Sequence, residues 1–206
     1  MHETNAYWEK RYAAGGTSGR GSYGKFAQFK RDTLNEFVRT HGVKSVIEFG
    51  CGDGGQLTLM NYPSYLGLDV SPSAVALCRE RFQADSSKSF QAYDSMAIDE
   101  IPPAWHSDLA LSLDVLYHLV ERDVFEKYLA LLFQSARDYV IIYSTNRERS
   151  GRFAAAHVRH RNFTDYVEAT QSGWELFQTV PHPMGKLRRL LGSPYPDFYL
   201  YRKRVR

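Results

Sequence analysis

Four glycines stand within six residues, Gly50-Cys51-Gly52-Asp53-Gly54-Gly55, directly behind the β-rich run Ser45-Val46-Ile47-Glu48-Phe49. Glycine is needed where a backbone turns sharply and where a ligand must come close to the main chain. The run before this loop reads as a strand, and the residues after it read as a helix. Asp69 closes a second β-rich run, Tyr65-Leu66-Gly67-Leu68-Asp69-Val70, and lies 21 residues beyond Glu48. A carboxylate at that point can accept from both hydroxyls of a ribose. A glycine turn between strand and helix, with an acid at the next strand end, points to an α/β sheet that takes a ligand carrying a nucleoside. The string Gly50-x-Gly52-x-x-Gly55 matches the dinucleotide fingerprint. With Glu48 and Gly54 included, the same residues read as E-x-G-x-G-x-G.

The rest of the chain alternates in the same way. Tyr7-Trp8-Glu9-Lys10-Arg11-Tyr12 predicts a short aromatic helix, and Gly15 to Ser22, with four glycines in eight residues, predicts a mobile loop. Phe26, Phe29, Thr33, Leu34, Phe37 and Val38 share one face of a helix that ends at Thr40-His41-Gly42. Ser71-Pro72 opens a helix through Arg81, with serine as N-cap and proline at the first helical position. Phe90 to Tyr93, Leu109 to Leu113 and Tyr139 to Tyr143 supply three more strands, and Val124, Phe125, Tyr128, Leu129 and Leu132 mark a helix between the last two. Strands separated by helices predict a doubly wound, mostly parallel sheet with right-handed crossovers. Trp174 to Val180 and Phe198 to Tyr201 are strand-like with no clear crossover helix between them, so the last strand is free to insert antiparallel.

Composition bounds the partners. In 206 residues, 26 Lys and Arg nearly balance 23 Asp and Glu, for a net charge of +3. That argues against a long basic face dedicated to nucleic acid, although a local basic patch remains open. The most apolar stretch, Leu109 to Val120, is too short to span a bilayer and contains Asp114 and His118. The first residues are polar, and Cys51 and Cys78 are too few for a disulfide framework or a cysteine zinc site. A reduced, cytoplasmic protein is expected.

With Val46 to Gly54, Tyr65 to Ser71 and Ser107 to Leu119 in that order and spacing, the chain resembles the class I S-adenosylmethionine (SAM)-dependent methyltransferases over roughly residues 40 to 205. The resemblance implies a seven-stranded sheet of order 3-2-1-4-5-7-6 with strand 7 antiparallel, and SAM as donor with S-adenosylhomocysteine (SAH) as product. It implies that Glu48 orders the glycine loop and that Gly50, Cys51, Gly52 and Asp53 face the amino-acid part of SAM. Asp69 would hold the ribose, with Val70 against the adenine. Asp94 would accept from the adenine amino group, with Ser95 or Met96 beside it, and Leu113 and Asp114 would lie by the methionine. Residues 1 to 24 would form a helical lid on a domain of residues 25 to 206, with Arg11 pairing with the SAM carboxylate.

The resemblance also sorts the acceptors. Amino methylation of bases uses a proline-containing loop after strand 4, which here reads Ser112-Leu113-Asp114-Val115. Cytosine C5 chemistry needs a cysteine that neither Cys51 nor Cys78 is placed to supply. A catechol-type magnesium site lacks its second acid, because position 145 is Thr, so no metal is expected. His118 is the candidate base, since a neutral imidazole accepts a hydroxyl proton. Tyr12, Tyr23, Tyr117, His157 and Arg161 are candidate acceptor contacts. The last two belong to a basic segment, Arg147 to Arg161, that suits an anionic small molecule or an RNA backbone. The favoured reading is O-methylation of a small-molecule or glycan acceptor. RNA or protein methylation through the basic segment, and a non-catalytic SAM-binding subunit, are the alternatives. Tyr199-x-x-x-Lys203 has a dehydrogenase spacing but lies on a strand-like terminus.

Overall fold

The computed structural model describes residues 3–148, 157–184 and 195–205. In chain order these form α1 (Glu3–Ala13), α2 (Gly24–Thr40), β1 (Val46–Phe49), β2 (Tyr65–Asp69), α3 (Pro72–Arg81), β3 (Lys88–Ala92), β4 (Ser107–Leu113), α4 (Arg122–Ser135), β5 (Ala136–Ser144), α5 (Phe163–Thr170), β6 (Trp174–Val180) and β7 (Asp197–Lys203). The strands make one sheet in the order β3-β2-β1-β4-β5-β7-β6. Pairings from β3 across to β5 are parallel, and β7 runs antiparallel to both β5 and β6. The expected doubly wound α/β fold is therefore present, with the expected order and the expected reversed strand.

The central strands are apolar on both faces because both faces are covered. Alternate residues of β4 and β5 turn to opposite sides. Ala110, Val140 and Ile142 join Leu129 and Leu132 of α4 and Phe163 of α5 in one core. Leu109, Leu111 and Ile141 join Leu34, Phe37 and Val38 of α2 and Val75 and Cys78 of α3 in the other. Ser71 caps α3 by accepting from the Ala74 N–H at 3.1 Å.

Two elements differ from the sequence reading. The helix expected after the glycine loop is a single 3-10 turn, Leu57–Leu59. Asn35 of α2 explains this: its side chain donates to the Leu59 carbonyl at 3.0 Å and accepts from the Asn61 N–H at 2.9 Å. Those bonds capture backbone groups that a helix would use internally, and Pro63 disfavours helical geometry just beyond them. The second difference is α5, a helix of eight residues within a stretch that the sequence pattern leaves unassigned. Only Phe163 and Val167 of it are buried, too little apolar periodicity to reveal it.

α1 is tied across the C-terminal ends of the strands by polar bonds. Glu9 accepts from the hydroxyls of Ser71 and Ser73, both at 2.6 Å. Thr4 donates from Oγ1 to Glu121 at 2.5 Å. Ser71→Ala removes both the α3 cap and one of the Glu9 bonds, and is expected to cost about 1–2 kcal/mol, read from urea unfolding.

Candidate functional site

A cavity of about 290 Å³ opens at the C-terminal ends of β1, β2 and β4, with α1 and the loop after it as its roof. Its floor is the glycine loop. Gly50 and Gly52 hold φ values of 83° and 58°, a left-handed region that disfavours side chains. A Cβ on Gly50 would stand 2.5 Å from Val115 Cγ2, and one on Gly52 would stand 2.2 Å from Ser18 Oγ. Asp69 clamps this loop: Oδ2 accepts from the Gly52 N–H at 2.8 Å and Oδ1 from the Ser71 N–H at 2.9 Å. Burial pushes its carboxyl up to about 6, against the pull of those N–H groups. Glu48 lies deeper and accepts from the Tyr65 hydroxyl at 2.7 Å. The loop is thus ordered through Asp69, while the bond made by Glu48 runs to β2.

Beyond β4 the backbone turns at Asp114, whose φ of 62° is the one positive value at a non-glycine position among the described residues. Its carboxylate has two partners. Lys30 of α2 donates to Oδ2 at 2.7 Å, and the Tyr117 hydroxyl donates to Oδ1 at 2.7 Å. Gly21 passes so close that a Cβ there would come within 2.7 Å of Oδ2. Burial, reinforced by the Asp114 charge, pushes the Tyr117 phenol well up, so it stays a proton donor.

His118 faces the cavity with Nδ1 3.1 Å from the His157 carbonyl oxygen. A carbonyl only accepts, so Nδ1 carries the proton and Nε2 keeps its lone pair. Burial lowers its pKa to about 4, so the ring is neutral at physiological pH. Trp8 meets it edge-on at 4.9 Å, and His157 stacks on Tyr7 at 4.5 Å.

The cavity brings together most of the residues anticipated from sequence. Glu48, Gly50, Cys51, Gly52, Asp69, Val70 and Ser95 line it beside Leu113 and Asp114, with Arg11, Tyr12, Tyr117, His118 and His157 around the rest. Five anticipated residues lie outside it. Asp53 is spent on the N-terminal segment, accepting from Ser18 Oγ at 2.8 Å, the Tyr23 hydroxyl at 2.9 Å and the Gly55 N–H at 3.0 Å. Burial raises its carboxyl, but these donors outweigh burial and hold it below the usual range. Tyr23, anticipated as an acceptor contact, is instead this outer latch. The same bonds tie Ser18, within the glycine-rich loop, and Tyr23, just after it, to the loop that follows β1. Asp94 accepts from the Met96 N–H at 3.1 Å, and both side chains are exposed on the rim. Arg161 donates to the carbonyls of Leu119 and Val120 and lies 4.6 Å over the Phe125 ring. It braces the turn that carries His118 and is not among the residues lining the cavity. Arg149 and Arg152 of the basic segment, and Lys186, Arg188 and Arg189, lie outside the described residues.

Lys30 and Gln56 line the cavity without having been anticipated. The signal for Lys30 was its place on the buried stripe Ala27, Leu34, Phe37 and Val38, where a lysine needs a partner. Arg11 donates from Nε to the Thr17 carbonyl at 2.7 Å. Among the described residues no cluster of His, Cys, Asp or Glu is arranged to hold a metal ion, and no helix is long and apolar enough to cross a membrane.

The cavity offers several kinds of binding group. Asp69 supplies an acceptor for hydroxyls, the glycine loop a bare backbone, Val70 and Tyr93 an apolar shelf, and Arg11 a cation. Comparisons agree. A sequence profile described as a methyltransferase domain matches residues 47–138. A ubiquinone biosynthesis O-methyltransferase of Bradyrhizobium diazoefficiens is 27% identical over 137 residues, 65% of this chain and 52% of the relative. The chain thus spans about half the length of that curated protein. The N-methyltransferase NodS from Bradyrhizobium japonicum, solved with SAH, superposes with a TM-score of 0.72 at 16% identity, covering 99% of this chain and 100% of that one. The methyltransferase domain of bacterial CtHen1-C gives a TM-score of 0.68 at 19% identity, covering 86% of this chain and 98% of that one.

The buried acid beneath the glycine loop has a measurable signature. Burial pushes the Glu48 carboxyl from 4.5 up to about 7, moderated by the Tyr65 hydroxyl and Lys30 and reinforced by Asp69 and Asp114. The folded state therefore holds a proton that the unfolded chain releases near its ordinary pKa. Stability from this group is full below about pH 4.5 and declines as pH rises toward 7. Glu48→Gln is expected to flatten that decline and to raise stability at pH 8 by up to roughly 3 kcal/mol, measured by denaturant unfolding across pH.

Proposed function

We propose that this chain is a class I SAM-dependent methyltransferase that moves the methyl group of SAM to a hydroxyl oxygen of a small planar acceptor; the methyltransferase-domain match and the fold support this reading. One observation carries the oxygen reading: His118, neutral and with its Nδ1–H held by the His157 carbonyl, lines the cavity and keeps the lone pair of its Nε2. The planar acceptor is supported by the ring walls of Tyr7, Trp8 and His157 beside that lone pair. The name of the Bradyrhizobium O-methyltransferase relative is in keeping with both.

When bound, SAM supplies an already activated methyl group, so the protein's work is alignment and proton removal. Asp69 accepts from the ribose hydroxyls with the lone pairs that Gly52 and Ser71 leave free. Arg11 meets the donor's carboxylate. Lys30 and Tyr117 hold Asp114 in its left-handed turn and so fix the wall between donor and acceptor. His118 Nε2 takes the acceptor's hydroxyl proton as the new bond forms, and the His157 carbonyl stabilises the imidazolium through Nδ1–H. Residues 3 to 24 exclude water over the site, fastened by Ser18 and Tyr23 on Asp53.

Calorimetry is expected to show micromolar SAM and SAH binding, about −8 kcal/mol, without competition from NAD. Asp69→Ala should weaken SAH roughly tenfold or more, because it removes the hydroxyl acceptor and the loop clamp together. In a labelled-methyl screen, label should pass to phenolic small molecules. NAD binding without SAM or SAH heat would overturn the family assignment of the site. Transfer to RNA or protein alone would overturn the acceptor class. His118→Ala should lower kcat by about a hundredfold. With its pKa near 4, the wild-type rate should show no histidine limb between pH 5 and 8.

A further inference from the structure

We infer that Glu48 is the residue by which the site tells the cationic donor from its neutral product: its carboxyl releases a proton to solvent when the sulfonium of SAM binds and keeps that proton when the thioether of SAH binds. The inference rests on the methyltransferase reading above. The mechanism leaves Glu48 without a task, and the loop it was expected to order is held by Asp69 instead. Glu48 nevertheless lines the cavity. Its Oε2 accepts from the Tyr65 hydroxyl at 2.7 Å. Its Oε1 has no hydrogen-bond partner among the described residues and is not one of their fully buried atoms, so this free oxygen opens on the cavity.

The charges around it are unbalanced. Tyr65 and Asp69 of β2, Tyr62 ahead of that strand, Lys30 of α2, Asp114 beyond β4, Tyr128 of α4 and Cys51 of the glycine loop all interact with it electrostatically. Burial raises the three phenols, and a bond to Cys78 together with burial raises the thiol, so these four stay neutral. Lys30 is the one cation in this set, and it is spent on Asp114 at 2.7 Å. Three carboxyl groups thus share one ammonium. Burial first, then the Asp69 and Asp114 charges, hold the Glu48 carboxyl up at about 7 against the pull of Tyr65 and Lys30. A positive charge brought into so dry a place favours the ionised carboxyl, whereas an uncharged ligand deepens the burial and favours the acid. Topology puts that charge within reach. Glu48 on β1 pairs with Gly67 of β2 on one side and Leu111 of β4 on the other. A donor held through its ribose by Asp69 at the end of β2, and delivering methyl to an oxygen beside His118 beyond β4, carries its sulfonium across β1.

Titration calorimetry in buffers of different ionisation enthalpy counts the proton. At pH 6.5, wild-type protein is expected to release about half a proton more with SAM than with SAH, if the sulfonium weakens the hold on that proton about tenfold. On the same footing, SAM should gain about fourfold over SAH in affinity between pH 5.5 and pH 7, a range below the titration of the ligands' own amines. Glu48→Gln should abolish the extra proton and flatten the affinity ratio while still binding both ligands. The variant keeps Asp69 and meets the same ligand ionisations, so the difference between the two proteins isolates Glu48. Equal proton release with SAM and SAH in wild-type protein, a count that needs no variant, would overturn the inference and leave the methyltransferase reading intact. An unaltered pH dependence of the ratio in Glu48→Gln would do the same. Failure of wild-type protein to bind either ligand would overturn that reading and the inference with it.

Discussion

The bond pair from Asp69 to the N–H groups of Gly52 and Ser71 holds three parts of the molecule in register: the end of β2, the glycine loop after β1 and the start of α3. Left-handed glycines have no side chains to hold their turn, so something outside the loop must. A carboxylate in a buried place does this strongly, because an ionised acceptor makes a better hydrogen bond and its loss would leave two N–H groups unpaired. Burial charges for that arrangement by raising the Asp69 carboxyl to about 6. The acid nonetheless remains largely ionised at neutral pH, the form that makes the stronger bonds to the two N–H groups.

Around that clamp the cavity separates charge from neutrality. Lys30 and Asp114 neutralise one another at 2.7 Å, with Lys30 only 1% exposed. Such a pair gains little net stability once desolvation is counted, and breaking it leaves a lone buried charge. Its value is geometric: it holds Asp114 in a conformation that L-residues otherwise avoid. His118, across the same space, is held neutral by burial and by a carbonyl partner. A fixed charge pair and a neutral imidazole line the same cavity.

Much of this was legible in the chain. The glycine loop, Asp69 and the turn from Leu113 to His118 each sit at the end of a β-rich run, and a parallel sheet puts the ends of neighbouring strands together. Local pattern and topology therefore led to the same set of residues. Phe163–Thr170 escaped because two buried apolar residues are too few to mark a helix, and the helix expected after Gly55 was replaced by a turn that Asn35 captures from another element.

The sequence by itself determined the alternation of strands and helices, the place of the cavity and the acid at its floor, since periodicity, glycine spacing and strand-end position are local properties; the strand order came only with the family resemblance. Tertiary structure alone decided how particular polar side chains were used. Asp53, Tyr23 and Arg161 look like ligand contacts in one dimension, yet they are spent on Ser18, on Asp53 and on the carbonyls of Leu119 and Val120. Lys30 and Gln56 look like ordinary helix and loop residues, yet α2 packs them into the cavity. The reason is that a polar side chain's role depends on which donors and acceptors come within about 3 Å of it, and those neighbours lie far away along the chain.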